Sequence, residues 1–367
     1  MATHAAVATM GVKKPLGIIQ VPTVKPTGDE VRVRVEWTAS TPLDLHQNDG
    51  GLLVTHPQVL GDGTAGTVVE VGPDVKRLKV GDKVFGFTWR SPQEKAHQEF
   101  CTSNEWLFAK LPEGFTLQEA VTLPNNFVTV FHSITADLGV ETPWPKPADY
   151  KPKDENQAIL IWGGASSVGM YALQILRYYG YTCLIAVASK KHHEKLRSLG
   201  AKWTFDYNDP HVVSNILNTG AMQSLTGNMA GIPKILDCIG SKEGSIKPIS
   251  KIAKNGSKVA ILLPIIVRDS SETEDPIYEM DVWQAAEWDE GVEVAGVRTH
   301  FYPDNEFFKY HLQPDIMYSL LKDKIVEPNP QKIIEGTTLL GRAQAAMNAL
   351  RRKEASGERL VWRVSDA

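Results

Sequence analysis

Ile159-Leu-Ile-Trp-Gly163-Gly164-Ala165-Ser166-Ser167-Val168-Gly169-Met-Tyr-Ala-Leu-Gln-Ile-Leu176 is the stretch that decides the fold. The apolar run from Ala158 to Trp162 is too short for a helix, and a cluster of small residues follows it. Val168, Ala172, Ile175 and Leu176 then recur at helical spacing, so the segment reads as strand, tight turn, helix. Such a turn suits an anion, because small residues let the backbone come close and the new helix points N–H groups and its positive dipole end outward. The spacing approaches G-x-G-x-x-G, with Gly164 and Gly169 at the outer positions and Ser166 where the middle glycine normally keeps a Cβ away from a pyrophosphate. A serine there still has a hydroxyl to offer a phosphate; the alternative is a strand-to-helix turn with no ligand.

Downstream residues favour a nucleotide. Gly180 reads as the helix stop, and Tyr181-Thr-Cys-Leu-Ile-Ala-Val-Ala188 as a second strand ending about twenty residues past the glycine turn, where dinucleotide folds read the ribose. An NAD site usually places a carboxylate there. This chain has Ser189-Lys190-Lys191-His192-His193, and a hydroxyl followed by two ammonium groups suits a 2′-phosphate. The reading is NADPH rather than NADH, against the alternative of a solvated lysine pair at a helix start.

From 158 to 263 the pattern alternates: strands at 158–162, 181–188, 203–205, 234–238 and 258–263, helices at 168–179, 192–199, 211–218 and 243–254. This rhythm predicts a doubly wound parallel sheet of Rossmann type, with 293–299 as a last strand. Residues 267–290 are acidic and irregular and take no assignment. Before it, Glu141 to Asn156 is rich in proline and charge and reads as an exposed loop. The N-terminal part is strand-rich: Glu30-Val-Arg-Val-Arg-Val-Glu-Trp37 alternates with period two, 64–71 and 81–86 follow, and 104–111 reads as one more strand. Short strands split by Gly and Pro predict a folded-over, barrel-like β-rich domain. Thr116 and Glu119 form a capping box, and a helix runs from about Phe127 to Gly139. The expected division is 1–127 with 300–367 as the β-rich catalytic and substrate domain, and 128–299 as the nucleotide-binding domain.

The chain has 367 residues, 42% apolar and 22% charged, with net charge −4. That length supports two cores, and the charge excludes a basic nucleic-acid surface or polybasic anchor. Cys101, Cys183 and Cys238 stand apart with no C-x-x-C pair, which excludes a disulfide scaffold and fits a reducing compartment. No apolar run approaches the roughly 18 residues of a membrane span, so a cytoplasmic protein is the expectation.

The order of motifs resembles the medium-chain dehydrogenases/reductases. It runs through residues 28–37, Ala39-Ser-Thr-Pro-Leu-Asp44, Leu60-Gly-Asp-Gly-Thr-Ala-Gly-Thr-Val-Val-Glu-Val-Gly72, Leu78-Lys-Val-Gly-Asp-Lys-Val-Phe-Gly86, Leu123-Pro with Thr129 and His132, Gly163–Gly169, Gly200-Ala201, Asp206-Tyr207, and Gly357-Glu-Arg-Leu-Val-Trp-Arg-Val364. The proline-rich insertion and Trp162–Gly169 look most like the fungal branch of trans-acting enoyl reductases, with quinone oxidoreductases as wider kin. The resemblance implies a GroES-like fold for the β-rich domain. Zinc-dependent members hold their metal with an early Cys and a Gly-His-Glu segment; here those positions read Ala39 or Ser40, Asp62 and Gly63. Asp62 alone cannot make a zinc site, so no metal is expected. Without a Lewis acid an isolated ketone is a poor hydride acceptor, whereas a conjugated double bond spreads the charge into an enolate.

The resemblance therefore implies an NADPH-dependent, zinc-independent reductase of an enoyl thioester, enone or quinone. Its partners are a small-molecule substrate, in one version carried by a polyketide synthase acyl carrier, with no nucleic acid or membrane, and the chain is a monomer or homodimer. It places Thr41 and Thr129 beside the nicotinamide, and His46 where polyketide enoyl reductases have a substrate-site lysine. His46 is thus the candidate for donating a proton or polarising the carbonyl, against a surface or structural histidine; water is the other proton source. Asp44 reads as a structural turn carboxylate. For the cofactor the expectation is Gly163, Gly164, Ala165, Ser166, Ser167, Val168 and Gly169 at the pyrophosphate, and Ser189, Lys190 and Lys191 at the 2′-phosphate. Tyr207 is expected by the adenosine phosphate, with Ile239, Gly240, Leu263 and Pro264 at strand ends. The alternatives are a metal-free aldehyde reductase and a nucleotide-binding protein without catalysis.

Overall fold

In a computed structural model that describes residues 2–220 and 231–365, the chain divides into two compact units. The first comprises Met1–Val128, Asp269–Pro276 and His300–Ala367, and the second Thr129–Arg268 and Ile277–Thr299. The segment Asp269–Pro276, which the sequence reading leaves inside 128–299, belongs to the first unit. Its side chains show why: Ser270 and Arg351 donate to the Asp49 carboxylate, Lys353 pairs with Asp269, and Lys13 with Asp275.

The second unit carries a sheet of six parallel strands, in spatial order Trp203–Phe205, Leu184–Val187, Ile159–Trp162, Lys234–Asp237, Lys258–Leu262, Glu293–Val297. In order of appearance within this unit that is 3-2-1-4-5-6, the doubly wound arrangement. Ile159–Trp162 and Leu184–Val187 are buried on both faces, as a sheet covered by helices on each side requires. The strand order reverses between the first strand and the fourth, so the turn at Gly163 and the turn at Cys238 stand side by side at the carboxyl ends. The stretch 267–290 contains part of a small antiparallel hairpin, Ile265–Arg268 with Ile277–Glu279.

The first unit is built on a seven-stranded, largely antiparallel sheet whose longest strand is Glu30–Ser40. Val31, Val33 and Val35 are fully buried while the intervening residues are partly exposed, as the period-two alternation predicts. The strand expected over 104–111 is broken. Phe100–Asn104 and Phe108–Lys110 are separated by a turn at Glu105–Leu107, because the Glu105 carboxylate turns in to accept the backbone N–H groups of Lys76, Arg77 and Leu78. The Thr116 and Glu119 capping box forms. The helix expected from Phe127 begins at Pro124, where a missing N–H costs nothing at a first turn, and runs on through Asp137 with Gly139 at φ 65° beyond it.

Candidate functional site

Three glycines shape the turn after the first parallel strand. Gly163 has φ 82°, and a Cβ on it would lie 2.6 Å from the Ile239 side chain. A Cβ on Gly164 would meet Ala186 at 2.9 Å, and one on Gly169 would meet the Gly163 carbonyl oxygen at 2.5 Å and Gly164 Cα at 2.7 Å. Strand, turn and helix are thus pressed together at the switch point, as a dinucleotide cradle requires. Ser166, in place of the middle glycine, is the N-cap of the helix Ser167–Tyr178: its Oγ accepts the Gly169 N–H at 3.0 Å. The serine therefore does a cap's work, and its hydroxyl also bonds the Cys238 thiol.

At the end of the second strand Ser189 opens a short turn, Lys190–His192, and both lysines are exposed. His193 fastens the turn through a 2.9 Å contact between its Nε2 and the Ala188 carbonyl oxygen. Asp206, at the end of the third strand, accepts the Lys190 and Asn208 backbone N–H groups, and those bonds hold its carboxyl below the ordinary range. Tyr207 is half exposed beside it. On the other side of the switch point Ile239 is 42% exposed, Gly240 is buried with φ 66°, and Pro264 is buried behind a partly exposed Leu263. Thr129 and Thr299 join through their hydroxyls at 3.0 Å.

Sequence reasoning misses what holds the 238–241 turn. Asp237, fully buried at the end of the fourth strand, accepts the N–H groups of Ile239 at 2.9 Å and Gly240 at 3.2 Å and the Ser245 hydroxyl at 2.6 Å. Burial pushes its carboxyl up to about 6 even against those three bonds. The available signal was a carboxylate closing a short strand directly after the apolar pair Ile235 and Leu236.

In the first unit Thr41 is the N-cap of the helix Pro42–Gly50, and His46 lies within that helix. Asp44 is the turn carboxylate expected: fully enclosed, it accepts the Thr41 N–H at 2.8 Å and the Gly61 N–H at 3.1 Å. Burial raises its carboxyl. The Thr41 hydroxyl is buried with no hydrogen-bond partner among the described residues. His46 is 9% exposed, and burial pulls it down to about 4 against the attraction of Asp269 and Asp49. It is therefore a neutral ring at pH 7, suited to hydrogen bonding rather than to delivering a proton from an imidazolium. Asp62, next to Gly61, is 4% exposed; Asn125 donates to its Oδ2 at 2.6 Å, and Oδ1 has no partner among the described residues. Burial and then the charge of Asp44 push Asp62 up to about 7.

The positions that bind zinc in metal-dependent relatives hold Ala39, Ser40, Asp62 and Gly63 here, a donor set that does not fit the ion. Among the described residues no group of three or more His, Cys, Asp or Glu side chains is placed to hold a metal.

Residues 27–133 match the alcohol dehydrogenase GroES-like domain. The trans-enoyl reductase tazE of Aspergillus terreus is 33% identical over 56% of this chain and 68% of its own length. The chain belongs to the medium-chain dehydrogenase/reductase family. Its relatives include fungal proteins: tndF of Aspergillus flavipes, a trans-enoyl reductase, is 34% identical over 56% of this chain and 59% of its own length. The trans-enoyl reductase pvhC of Talaromyces variabilis is 29% identical over 91% of the chain and 90% of its own length. These relatives are oxidoreductases, which is the class the family places the chain in. The fold recurs in the CurK enoyl reductase (TM-score 0.72, 17% identity, 98% of each chain) and in the quinone oxidoreductase of Coxiella burnetii (TM-score 0.71, 19% identity, 99% of this chain and 100% of that one). Among the described residues no helix is long and apolar enough to cross a membrane.

Proposed function

We propose that this chain is an NADPH-dependent, metal-independent reductase that adds hydride to a double bond conjugated to a carbonyl, in an enoyl thioester or enone, or reduces a quinone. The observation that carries the nucleotide half is the crowding at Gly169, where a Cβ would fall inside the backbone of Gly163 and Gly164. That geometry needs glycine whatever the ligand, but it leaves the backbone at the switch point bare, where a pyrophosphate is held. In this reading Gly163 to Gly169 hold the pyrophosphate, with Ser166 turning its hydroxyl from Cys238 to a phosphate oxygen. Ser189, Lys190 and Lys191 take the 2′-phosphate, Tyr207 covers the adenosine end, and Ile239, Gly240, Leu263 and Pro264 line the ends of the fourth and fifth strands. Bound NADPH supplies the hydride.

The reductase half rests on kinship and on first-unit residues, Ala39, Ser40, Asp62 and Gly63, that do not make a zinc donor set. In the first unit Thr41 offers a buried hydroxyl and His46 a neutral ring, and the second unit carries the Thr129 hydroxyl. A carbonyl-conjugated acceptor suits such a site, because hydrogen-bond donors suffice for an enolate where an isolated alkoxide asks for a stronger electrophile. The substrate is a small molecule, and kinship with trans-enoyl reductases favours one borne on the acyl carrier of a polyketide synthase. The test is NADPH consumption, followed at 340 nm, with crotonyl-N-acetylcysteamine, an enone, a quinone and a saturated aldehyde. Turnover of the aldehyde alone, or of nothing in the panel, refutes the proposal.

A further inference from the structure

Every backbone N–H of the turn after the fourth parallel strand is spent inside the second unit. Cys238 donates to the Trp162 oxygen at 2.9 Å, Ile239 and Gly240 to Asp237 Oδ1 at 2.9 and 3.2 Å, and Ser241 to Ser245 Oγ at 3.0 Å. Two side chains thus meet three of the four donors, and they bond each other: the Ser245 hydroxyl donates to Asp237 Oδ2 at 2.6 Å. Both residues are fully buried. The Gly240 carbonyl oxygen is taken as well, by the Ile266 N–H at 2.7 Å. A turn whose N–H groups stay open draws in phosphate; residues 238–241 have none to offer.

What the turn presents instead is the Ile239 side chain. It is 42% exposed, and its Cγ1 and Cδ1 stand 2.6 Å from the point a Cβ on Gly163 would occupy. Cys238 closes the same flank, with its Cβ 3.3 Å from that point and its thiol bonded to the Ser166 hydroxyl. One wall of the glycine turn is therefore an apolar side chain whose backbone is tied down by a buried carboxylate.

We propose that Asp237 and Ser245 are positioning residues of the nucleotide site: they hold Ile239 against Gly163 and keep the N–H groups of its turn from the ligand, so that the dinucleotide meets an apolar wall there and its phosphates are left to the glycine turn. This deepens the function proposed above and rests on its nucleotide half. Neither residue touches the ligand; both act through Ile239. Without the Asp237 carboxylate the Ile239 and Gly240 N–H groups lose their acceptor, the turn is free to leave Gly163, and the wall is lost. The wall carries no charge, so it serves NADPH and NADH alike, unlike Lys190 and Lys191. An asparagine at 237 still has an oxygen for both N–H groups and preserves it.

The experiment compares wild type, Asp237→Ala, Asp237→Asn and Ser245→Ala by fluorescence titration with NADPH and with NADH, and by amide hydrogen exchange in the nucleotide-free proteins. Asp237→Ala should weaken both nucleotides by the same factor, about tenfold or more, since small displacements in a binding site cost that much. Asp237→Asn, with both N–H groups still bonded, should stay within about threefold of wild type. Exchange at Ile239 and Gly240 should quicken about a hundredfold in Asp237→Ala while Leu160, in the neighbouring strand, keeps its protection, which marks a local opening rather than a general loss of stability. Wild-type affinity in Asp237→Ala overturns the proposal, as does equal weakening in Asp237→Ala and Asp237→Asn with Leu160 exchanging faster in both. If Asp237→Ala does not fold, Ser245→Ala decides: nucleotide binding about threefold weaker or more supports the assignment, and unchanged binding overturns it. Wild type that binds neither nucleotide refutes the nucleotide reading and the proposal together, whereas wild type that binds NADPH no better than Asp237→Ala refutes the proposal alone.

Discussion

Gly169→Ala is the sharpest perturbation of the nucleotide turn. The added methyl would lie 2.5 Å from the Gly163 oxygen, 2.7 Å from Gly164 Cα and 2.8 Å from the Gly164 oxygen. All three are backbone atoms, so no rotamer change relieves them, and ordinary contact would need nearly 1 Å of separation between helix and turn. Overpacking of this kind costs about 1–3 kcal/mol. For a unit of this size each kcal/mol lowers the midpoint by roughly 2–4 °C, so calorimetry should find the second unit's transition lower by about 2–12 °C. Because the displaced atoms are those proposed to line the pyrophosphate, NADPH affinity by fluorescence titration should also fall at least tenfold, or about 1.4 kcal/mol. Gly63→Ala is the control: its methyl would find nothing nearer than 3.7 Å, at the Val121 oxygen, and the midpoint should hardly move. A Gly169→Ala protein with unchanged midpoint and unchanged affinity would refute the steric argument. A lowered midpoint with full affinity would remove the pyrophosphate from this turn.

Lys190→Ala and Lys191→Ala should each weaken NADPH by about tenfold or more, since a charge-assisted bond is worth roughly 1.5–3 kcal/mol, and leave NADH unchanged; a phosphate preference surviving both would move the 2′-phosphate site elsewhere. Arg351→Ala strands the fully buried Asp49, which now receives paired bonds from the Arg351 guanidinium at 2.8 Å each. The cost should be about 3–5 kcal/mol by urea unfolding, and a loss under 1 kcal/mol would show that water reaches Asp49. Asp237, raised by burial to about 6, binds more protons folded than unfolded, so its contribution to stability declines as pH rises from about 4 through 6. Asp237→Asn should therefore flatten that decline, worth on the order of 3 kcal/mol across the window, while loosening the Ile239 turn; identical stability slopes in the two proteins would contradict the shift.

Much of the second unit was legible because its signals are local. The buried strand Ile159–Trp162 is a continuous apolar run, Trp203–Phe205 falls where the rhythm predicts, and the glycine turn lies within one helix turn of its cap. Glu105 was not legible, because a carboxylate bonding three N–H groups nearly thirty residues upstream leaves no trace in the local pattern. The irregular acidic stretch was opaque for the same reason. Asp269 and Ser270 find their partners in Lys353 and Asp49, far apart in sequence. Local chemistry reads as a solvated loop whatever its distant partner.

His46 and Asp62 show why a site is harder to read than a fold. By residue type the histidine is the natural acid near neutrality and the aspartate a permanent anion. Enclosure reverses the order. Removal from water penalises whichever form is charged, so it drives the imidazole down to about 4 and the carboxyl up to about 7. The neighbours set how far: Asp49 and Asp269 partly restore the histidine's proton, whereas Asp44 adds to what burial does to Asp62. Burial thus leaves the histidine uncharged at pH 7 and moves the aspartate's titration up to about 7. Gly61, whose φ of 85° turns the chain, brings its N–H to Asp44 while Asp62 follows directly, so the two carboxyls that shift each other are joined through one backbone turn.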